Sequence, residues 1–318
     1  MKRDIQLEKI LSESMKDVNI NLHESKDEKE KNTKSLILVA ACRMYNETKD
    51  EFCKMMVVNT LRTVIENNTF KEVFTPVVGE ALFFAYDQTG DEQYKGYICD
   101  LAEEMMSKER NKDRVFVGGD GSKETDLSDA YEQLVFYMNY ETRFGGKEHY
   151  SDVVRQFEAV RNAKRCEKCG LYNENSDLEV ALYLAALIDA MEVTDQPVYE
   201  IFAGIKDIYK ETFAGLRDNG KFNSKAEDFI TEENMVAKLI LIYALLKGCR
   251  MKAILSSKYE EELNAVAAKA FEMIKEQGKA LFKGRNDYLA AAMMAYAEST
   301  KERSYQVYGR NKGGAIWS

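Results

Sequence analysis

Two cysteines separated by two residues, Cys166 and Cys169, are a first candidate for chemistry in this chain of 318 residues. Such a pair can supply two thiolates to a zinc ion or form a redox-active disulfide. A tetrahedral zinc site needs four ligands, and the sequence places neither a second pair nor a histidine nearby. We therefore predict no metal at this pair. The remaining cysteines stand in apolar helical stretches, where a thiol acts as a small hydrophobe: Cys42, Cys53, Cys99 and Cys249.

Carboxylates that open predicted helices are a second set of candidates. Asp177 follows Ser176 and precedes an apolar run, and Asp126 and Asp129 precede another. A carboxylate at such a position can cap the helix, because the first N–H groups lack partners and the helix dipole favours negative charge. At the mouth of a cavity it can instead act as a general acid or base. The sequence leaves both interpretations open for these three residues.

Two further features suggest chemistry only weakly. Residues 118–121 (GGDG) resemble a phosphate-binding loop, but no Gly-Lys-Ser/Thr follows and no predicted strand precedes them. We predict an ordinary loop there. The two histidines, His23 in a charged linker and His149 in a predicted turn, are not predicted to be catalytic.

The composition limits the partners and the location. With 45 Lys and Arg against 54 Asp and Glu, the net charge is -9 and the pI about 5.1, which argues against sequence-independent binding of nucleic acid. Charges interrupt the first residues before the apolar core of a signal peptide could form, and no run approaches the roughly 20 apolar residues of a membrane span. We therefore expect a cytoplasmic protein that contacts neither nucleic acid nor membrane.

A repeated phrase indicates how the chain is organised. It occurs at residues 45–52 (YNETKDEF) and 86–94 (YDQTGDEQY), more loosely at 140–150 (YETRFGGKEHY), and weakly at 191–199 (MEVTDQPVY). An aromatic residue ends one helix, a Thr/Gly/Asp cluster interrupts it, and an acidic residue begins the next helix. The spacing of about 40 to 55 residues is that of a helical hairpin, which must stack on its neighbours to bury its apolar face.

Apolar periodicity predicts a helix at residues 4–20, a charged linker at 21–34 and eleven further helices. These lie at about 35–46, 50–67, 75–88, 91–108, 126–143, 147–163, 177–191, 197–214, 231–248, 257–276 and 287–300. Six hairpins in a ring form an all-α (α/α)6 toroid, and segments 77–86 and 180–188 are apolar enough to be inner helices. We predict a toroid domain at 35–318 and a separate N-terminal helix and linker at 1–34.

Over about residues 35–300 the chain is similar to the unsaturated glucuronyl and rhamnogalacturonyl hydrolases of glycoside hydrolase families 88 and 105. The matching phrases lie at residues 85–94, 131–154, 169–172, 186–189 and 236–250. Their order and spacing fit the family, and the resemblance implies a six-hairpin glycosidase.

The resemblance also implies a reaction. In this family an aspartic acid protonates the C4=C5 double bond of an unsaturated uronic acid while water adds at C5, and the resulting hemiketal falls apart. A second carboxylate positions the sugar, and aromatic side chains contact the ring face. Neither a metal nor an organic cofactor is implied. The expected partner is a small oligosaccharide, and the expected oligomeric state is a monomer or a homodimer.

Residue by residue, the resemblance implies Asp177 as general acid/base and Asp129 as the second catalytic carboxylate. The family's His-Gly-Trp-Asp corresponds to residues 173–177 (NENSD), so that only Asp177 is retained and Glu174 stands in place of the histidine. An ungapped match puts Ser128 at the family's earlier aspartate, and a shift of one residue restores Asp129. The implied substrate-binding residues are Asp126, Tyr131, Tyr172 and Glu174.

The active site implied by this match is reduced. The family's Trp-rich loop and Arg-containing helix start have no counterpart, because residues 178–182 (LEVAL) follow Asp177 directly and the only tryptophan is Trp317. Three functions stay open: an unsaturated uronyl hydrolase, a catalytically inactive relative that binds a saccharide or a protein, and an unrelated toroid enzyme. For the last, an epimerase would need paired histidines and a zinc-dependent cyclase a Cys/His set, and the sequence offers neither.

Overall fold

The computed structural model describes residues 1–18, 20–25, 27–67, 75–118, 123–172, 175–195, 198–223 and 229–301. Over these ranges the chain is helical, and the β-structure amounts to one bridge between Arg110 and Phe116. The prediction of an all-α fold is therefore confirmed.

Twelve helices of nine residues or more form two layers in the described part of the chain. The inner helices are α2 (Glu28–Thr48), α4 (Pro76–Thr89), α6 (Val135–Arg143), α8 (Asp177–Val193), α10 (Met235–Arg250) and α12 (Asn286–Thr300). The outer helices are α1 (Ile5–Lys16), α3 (Glu51–Glu66), α5 (Glu92–Met106), α7 (Tyr150–Lys164), α9 (Tyr199–Asp218) and α11 (Ser256–Gln277). Short 3₁₀ turns occupy Leu22–Glu24 and Gly278–Phe282, and a helical turn (Leu127–Asp129) followed by a π-helical segment (Ala130–Leu134) leads into α6.

The amino-acid pattern of each helix explains its layer. In α12 every residue from Tyr288 to Thr300 is buried, as expected for a helix surrounded by protein on all sides. In α3 the buried residues recur every three or four positions, which gives one apolar face: Cys53, Val57, Val58, Leu61 and Val64. Each inner helix contacts the next, and α12 packs against α2, so the ring is closed. The predicted (α/α)6 toroid is confirmed.

The N-terminal helix takes part in this closure. Helix α1 packs on α11 and α12, and the hydroxyl of Tyr296 accepts a hydrogen bond from the backbone N–H of Asp4 at 2.8 Å. Helix α2 begins at Glu28, inside the stretch predicted as a linker, and Lys34 is buried. The division into two regions at residue 34 stays a prediction.

The repeated phrase forms the same turn twice. Thr48 donates its hydroxyl to the carbonyl of Met44 and accepts the N–H of Asp50, whose carboxylate caps the next helix. Thr89 and Asp91 make the equivalent bonds in the second copy. The left-handed position between them is occupied by Lys49 (φ 59°) in one turn and by Gly90 (φ 67°) in the other. Both turns join the C-terminal end of an inner helix to an outer helix.

Candidate active site

The ring has two different ends. The last turns of all six inner helices meet around one cavity, and we call this end the C-terminal rim. The first turns of the inner helices, together with residues 126–131, form the N-terminal rim. All the described candidates predicted to open an inner helix lie at the N-terminal rim.

Asp177 is the first residue of α8, and its side chain is 54% exposed. It is not the cap of that helix, because the Ser176 hydroxyl accepts the N–H of Glu179 at 3.2 Å while the Glu179 carboxylate accepts the N–H of Ser176 at 2.6 Å. This reciprocal arrangement is a capping box. The Asp177 carboxylate is therefore available for another interaction, and it accepts a hydrogen bond from the ammonium group of Lys238 at 3.1 Å.

Lys238, the partner of Asp177, is an almost buried cation at the start of α10. Its side chain is 9% exposed, and its ammonium lies 5.0 Å from the centre of the Phe229 ring. A small cleft between α8, α10 and the end of α9 contains both Asp177 and Lys238. An acid, a cation and an aromatic ring are thus brought together on this rim.

The two other carboxylates precede α6. Asp126 caps the short helical turn, since it accepts hydrogen bonds from the N–H and the hydroxyl of Ser128, both at 2.8 Å. Asp129 is partly buried and stands directly before the π-helical segment Ala130–Leu134. Single π turns of this kind are rare and often occur at functional sites.

The two tyrosines predicted to contact the sugar are buried. Tyr131 is 7% exposed and interacts with Arg43 near the ring axis, and burial raises its pKa. Tyr172 is 4% exposed, and its hydroxyl lies 3.1 Å from that of Thr212, with burial raising its pKa to about 12. Contact between these two side chains and a sugar stays a prediction.

Glu174 lies outside the described residues, as do residues 119–121 of the glycine-rich stretch. The structure thus joins Asp177 to Lys238 and Tyr131 to Arg43. Tyr172 contacts both layers of the ring, through Tyr183 on the inner helix α8 and Thr212 on the outer helix α9. Cys166 and Cys169 are both partly exposed, and neither is in a disulfide.

A cluster of buried charges near the ring axis was not among the sequence predictions. The Asp189 carboxylate accepts hydrogen bonds from Arg43 (2.6 Å), Lys247 (2.6 Å) and the hydroxyl of Tyr243 (2.5 Å). The side chains of Asp189 and Lys247 are 3% and 1% exposed. Three donors on one carboxylate compensate for the cost of removing its charge from water.

The cluster continues to the C-terminal rim. Arg250 bridges two carboxylates, that of Glu192 at 2.8 Å and that of Glu298 at 2.6 Å, and Lys247 also pairs with Glu192. Burial alone would raise the pKa of Glu192, but the positive charges of Lys247 and Arg250 outweigh it and hold this pKa well below its ordinary value. These cations also lie where the C-terminal dipoles of the helices favour positive charge.

The sequence did contain a signal for this cluster. Asp189 interrupts an apolar run in α8, and Lys247 stands in a similar run in α10. A charge inside a helix that is apolar on every side is expected to be buried and paired, since an unpaired buried charge is very unfavourable. Sequence alone did not indicate which charges would pair.

Solved structures of similar fold cover almost the whole chain. A glycoside hydrolase from family 105 of C. acetobutylicum ATCC 824 is 18% identical, with a TM-score of 0.70 over 92% of this chain and 98% of its own. A possible member of the GH105 family from Klebsiella pneumoniae is 12% identical, with a TM-score of 0.68 over 92% of each chain. An unsaturated glucuronyl hydrolase specific for heparin is 13% identical, with a TM-score of 0.62 over 92% of this chain and 97% of its own. At these identities the likeness establishes the fold.

A comparison with curated proteins found no match to the chain. Among the described residues, no helix is both long enough and apolar enough to cross a membrane. The sequence itself matches a family model, that of Glycosyl Hydrolase Family 88, over residues 7–181, which is more than half of the chain. The chain therefore belongs to glycosyl hydrolase family 88, as the resemblance in its sequence implied.

Proposed function

We propose that the protein hydrolyses unsaturated uronyl oligosaccharides, derived from rhamnogalacturonan or glucuronan, by hydrating the C4=C5 double bond at the N-terminal rim. Membership of the family supports the class of reaction. The observation that carries the proposal is the pairing of Asp177 with the almost buried Lys238, because the reaction needs a carboxyl group and its substrate carries a carboxylate.

Lys238 has the properties required to bind that carboxylate. An ammonium group shielded from water interacts more strongly with an anion than one in bulk solvent. Its position over the Phe229 ring, at 5.0 Å, restricts the direction in which the ammonium points. In this proposal the substrate carboxylate replaces Asp177 as the partner of Lys238.

The exchange of partners prepares Asp177 for proton transfer. Once Lys238 pairs with the substrate, Asp177 loses a neighbouring positive charge and gains a neighbouring negative one, and both changes favour protonation of its carboxyl. The acid then gives its proton to C4, and a water molecule adds its hydroxyl to C5 while its remaining proton returns to the Asp177 carboxylate. The hemiketal formed at C5 opens and releases the next sugar. Asp129 is the proposed second carboxylate, which orients the sugar.

A catalytically inactive relative that binds a saccharide or a protein is the second candidate. The burial of Tyr131 and Tyr172 favours it, because neither ring offers an open face for a sugar to stack on. The replacement of the family's histidine by Glu174 points the same way.

The test is the ultraviolet absorbance of the conjugated double bond on mixing the protein with unsaturated uronyl disaccharides. We expect the absorbance to fall with the unmodified protein, and Asp177→Asn and Asp129→Asn to slow the fall by about 10²- to 10⁴-fold, the usual contribution of a positioned acid or base. The matched control is Asp100→Asn, which changes an exposed carboxylate on the outer helix α5. Constant absorbance with the unmodified protein would reject the enzymatic proposal in favour of the inactive relative.

The role of Lys238 has its own readout. Lys238→Met should raise KM for the uronyl substrate much more than it changes kcat, and Lys238→Arg should restore part of the loss because it keeps the charge. An unchanged KM in Lys238→Met, with the fold intact by circular dichroism, would remove Lys238 from the substrate site.

A further inference from the structure

The cavity at the C-terminal rim is a second candidate for ligand binding, at the opposite end of the ring from Asp177. Its volume is about 290 Å³. This is the share of roughly ten water molecules in the liquid and close to the lower limit of ordinary ligand pockets. All six inner helices contribute to its wall, through Arg43, Glu80, Asn139, Asp189, Tyr243 and Glu298 among others.

The electrostatics of this cavity favour a cation. Six carboxylates line it, against four basic side chains. In addition, the C-terminal ends of the six inner helices meet there, and each carries a partial negative charge of about half an electron. An anion such as a uronate would be repelled, so this cavity is suited to a different ligand from the one proposed at the N-terminal rim.

Glu80 and Glu47 differ from the other carboxylates of this cavity in their partners. Asp189 and Glu192 each have a cation within hydrogen-bond distance, as described above. Glu80 instead receives a hydrogen bond from the neutral amide of Asn139 at 3.0 Å, and Glu47 has Lys301 at 3.8 Å, beyond hydrogen-bond distance. Burial raises the pKa of both Glu80 and Glu47, because the negative charge of each is incompletely compensated in the free protein.

The cation that fits is organic rather than metallic. In the described part of the chain, no group of three or more His, Cys, Asp or Glu side chains is arranged to hold a metal ion. The cavity also has apolar walls, formed by Val39, Phe83 and Met294, which suit a carbon skeleton. Polar groups such as Asn46 and Asn139 stand beside them and can bond hydroxyl groups.

We propose that this cavity binds a small polyhydroxy primary amine of hexosamine size, with its ammonium group paired to Glu80, while Glu47 on the wall of the same cavity adds to the negative potential. The ammonium gives Glu80 a charged partner in addition to the neutral amide of Asn139, and the hydroxyl groups bond the amide side chains around it. The proposal does not depend on the reaction at the N-terminal rim, and either one can fail without the other.

The test is isothermal titration calorimetry of the full chain with glucosamine, glucose and glucuronate at one pH near neutrality. We expect glucosamine to bind at least about tenfold more tightly than glucose, the effect of one ionic hydrogen bond of about 1.4 kcal/mol or more. Glucuronate should bind weakest. Glu80→Gln should remove the preference for glucosamine, since glutamine keeps the shape of the side chain and its bond to Asn139 but not the charge.

A second variant and a control complete the test. Glu47→Gln should weaken glucosamine binding separately, and it keeps the proposal testable if the Glu80 variant does not fold. Glu103→Gln, which changes an exposed carboxylate on α5, should leave binding unchanged. Three results would each overturn the proposal: no glucosamine binding, equal affinities for glucosamine and glucose, or an unchanged preference in both cavity variants.

Discussion

The two rims of the ring are built from the same six helices but differ in their helix connections and in the burial of their charges. At the C-terminal rim, connections such as residues 45–52 and 86–94 form the same short turn, and charges such as Asp189 are buried and saturated with donors. At the N-terminal rim, the caps differ from helix to helix, and Asp177 is 54% exposed with a single ion-pair partner. The repeated end specifies the fold, and the irregular end holds the candidates for catalysis.

Helix electrostatics explain why the rims differ and why the catalytic end is hard to identify from sequence. Helix N-termini stabilise carboxylates whether or not these are catalytic, so acids such as Asp126 and Asp177 collect at one rim for purely local reasons. Helix C-termini stabilise cations, and Lys247 and Arg250 stand there accordingly. An acid at an N-terminus is therefore weak evidence for chemistry, whereas an acid at a C-terminus, such as Asp189, needs a tertiary explanation.

The largest expected difference between the rims is the loss of stability when one carboxylate is neutralised at each rim. Asp189→Asn leaves the partly buried Arg43 and the buried Lys247 without their shared counterion, which should lower the free energy of unfolding by about 3 to 5 kcal/mol. Asp177→Asn affects an ion pair with one exposed partner and should cost about 1 kcal/mol or less. Urea denaturation of both variants at neutral pH measures the two values. Equal losses would show that the rims do not differ in this respect.

Glu192 and Glu80 should contribute to stability with opposite dependences on pH, and both contributions should be smaller than that of Asp189. The pKa of Glu192 is lower in the folded protein than its ordinary value of 4.5, so its contribution to stability is present above pH 4.5 and is lost as the pH falls through the folded pKa. Glu192→Gln should therefore lower the free energy of unfolding by about 2 kcal/mol at neutral pH, and the difference from the unmodified protein should shrink in acid. A difference that stays constant between neutral and acid pH would contradict this assignment.

Glu80, in the same cavity, should behave in the opposite way. Its pKa is raised above 4.5, so its stabilising contribution is present below pH 4.5 and is lost as the pH rises through the folded pKa. At neutral pH the charge is unfavourable, and Glu80→Gln should raise the free energy of unfolding by about 1 kcal/mol. Thermal melts of this variant at acid and neutral pH check the sign. A variant less stable than the unmodified protein at neutral pH would show that Glu80 is better compensated than its contacts indicate.

The smallest expected effect lies in the repeated turns. Lys49 (φ 59°) adopts a left-handed conformation that Gly90 (φ 67°) adopts without strain in the equivalent turn. Lys49→Gly should stabilise the protein by up to about 1 kcal/mol, and Gly90→Lys should destabilise it by about the same amount. Chemical denaturation of the two variants provides matched measurements. Changes of the same sign in both would mean that the two turns are not equivalent.

Features that depend on residues close together in the sequence could be predicted, whereas features that depend on distant residues could not. The turns at Thr48 and Thr89 depend on residues within five positions, so their pattern is visible in the sequence and the ring of hairpins follows from it. The Arg43–Asp189 pair joins residues 146 positions apart, and no local pattern indicates such a partner. The π-helical segment before α6 is a similar case, since the periodicity of residues 126–143 predicted one continuous helix. The catalytic assignments depend on the family resemblance and stay predictions.

The closure of the ring by α1, α2 and α12 also determines how long the N-terminal helices stay uncovered during synthesis. The hydroxyl of Tyr296 accepts the N–H of Asp4 and donates to Glu8 at 2.7 Å, across 292 and 288 positions of sequence. At a synthesis rate of about 5 to 20 residues per second, the N-terminal helix waits roughly 15 to 60 seconds for this partner to be made. During that interval the apolar faces of α1 and α2 that α12 will cover are open to other chains. The nascent chain is therefore most prone to aggregate just before α12 leaves the ribosome, and chaperones that shield α1 and α2 should raise its yield.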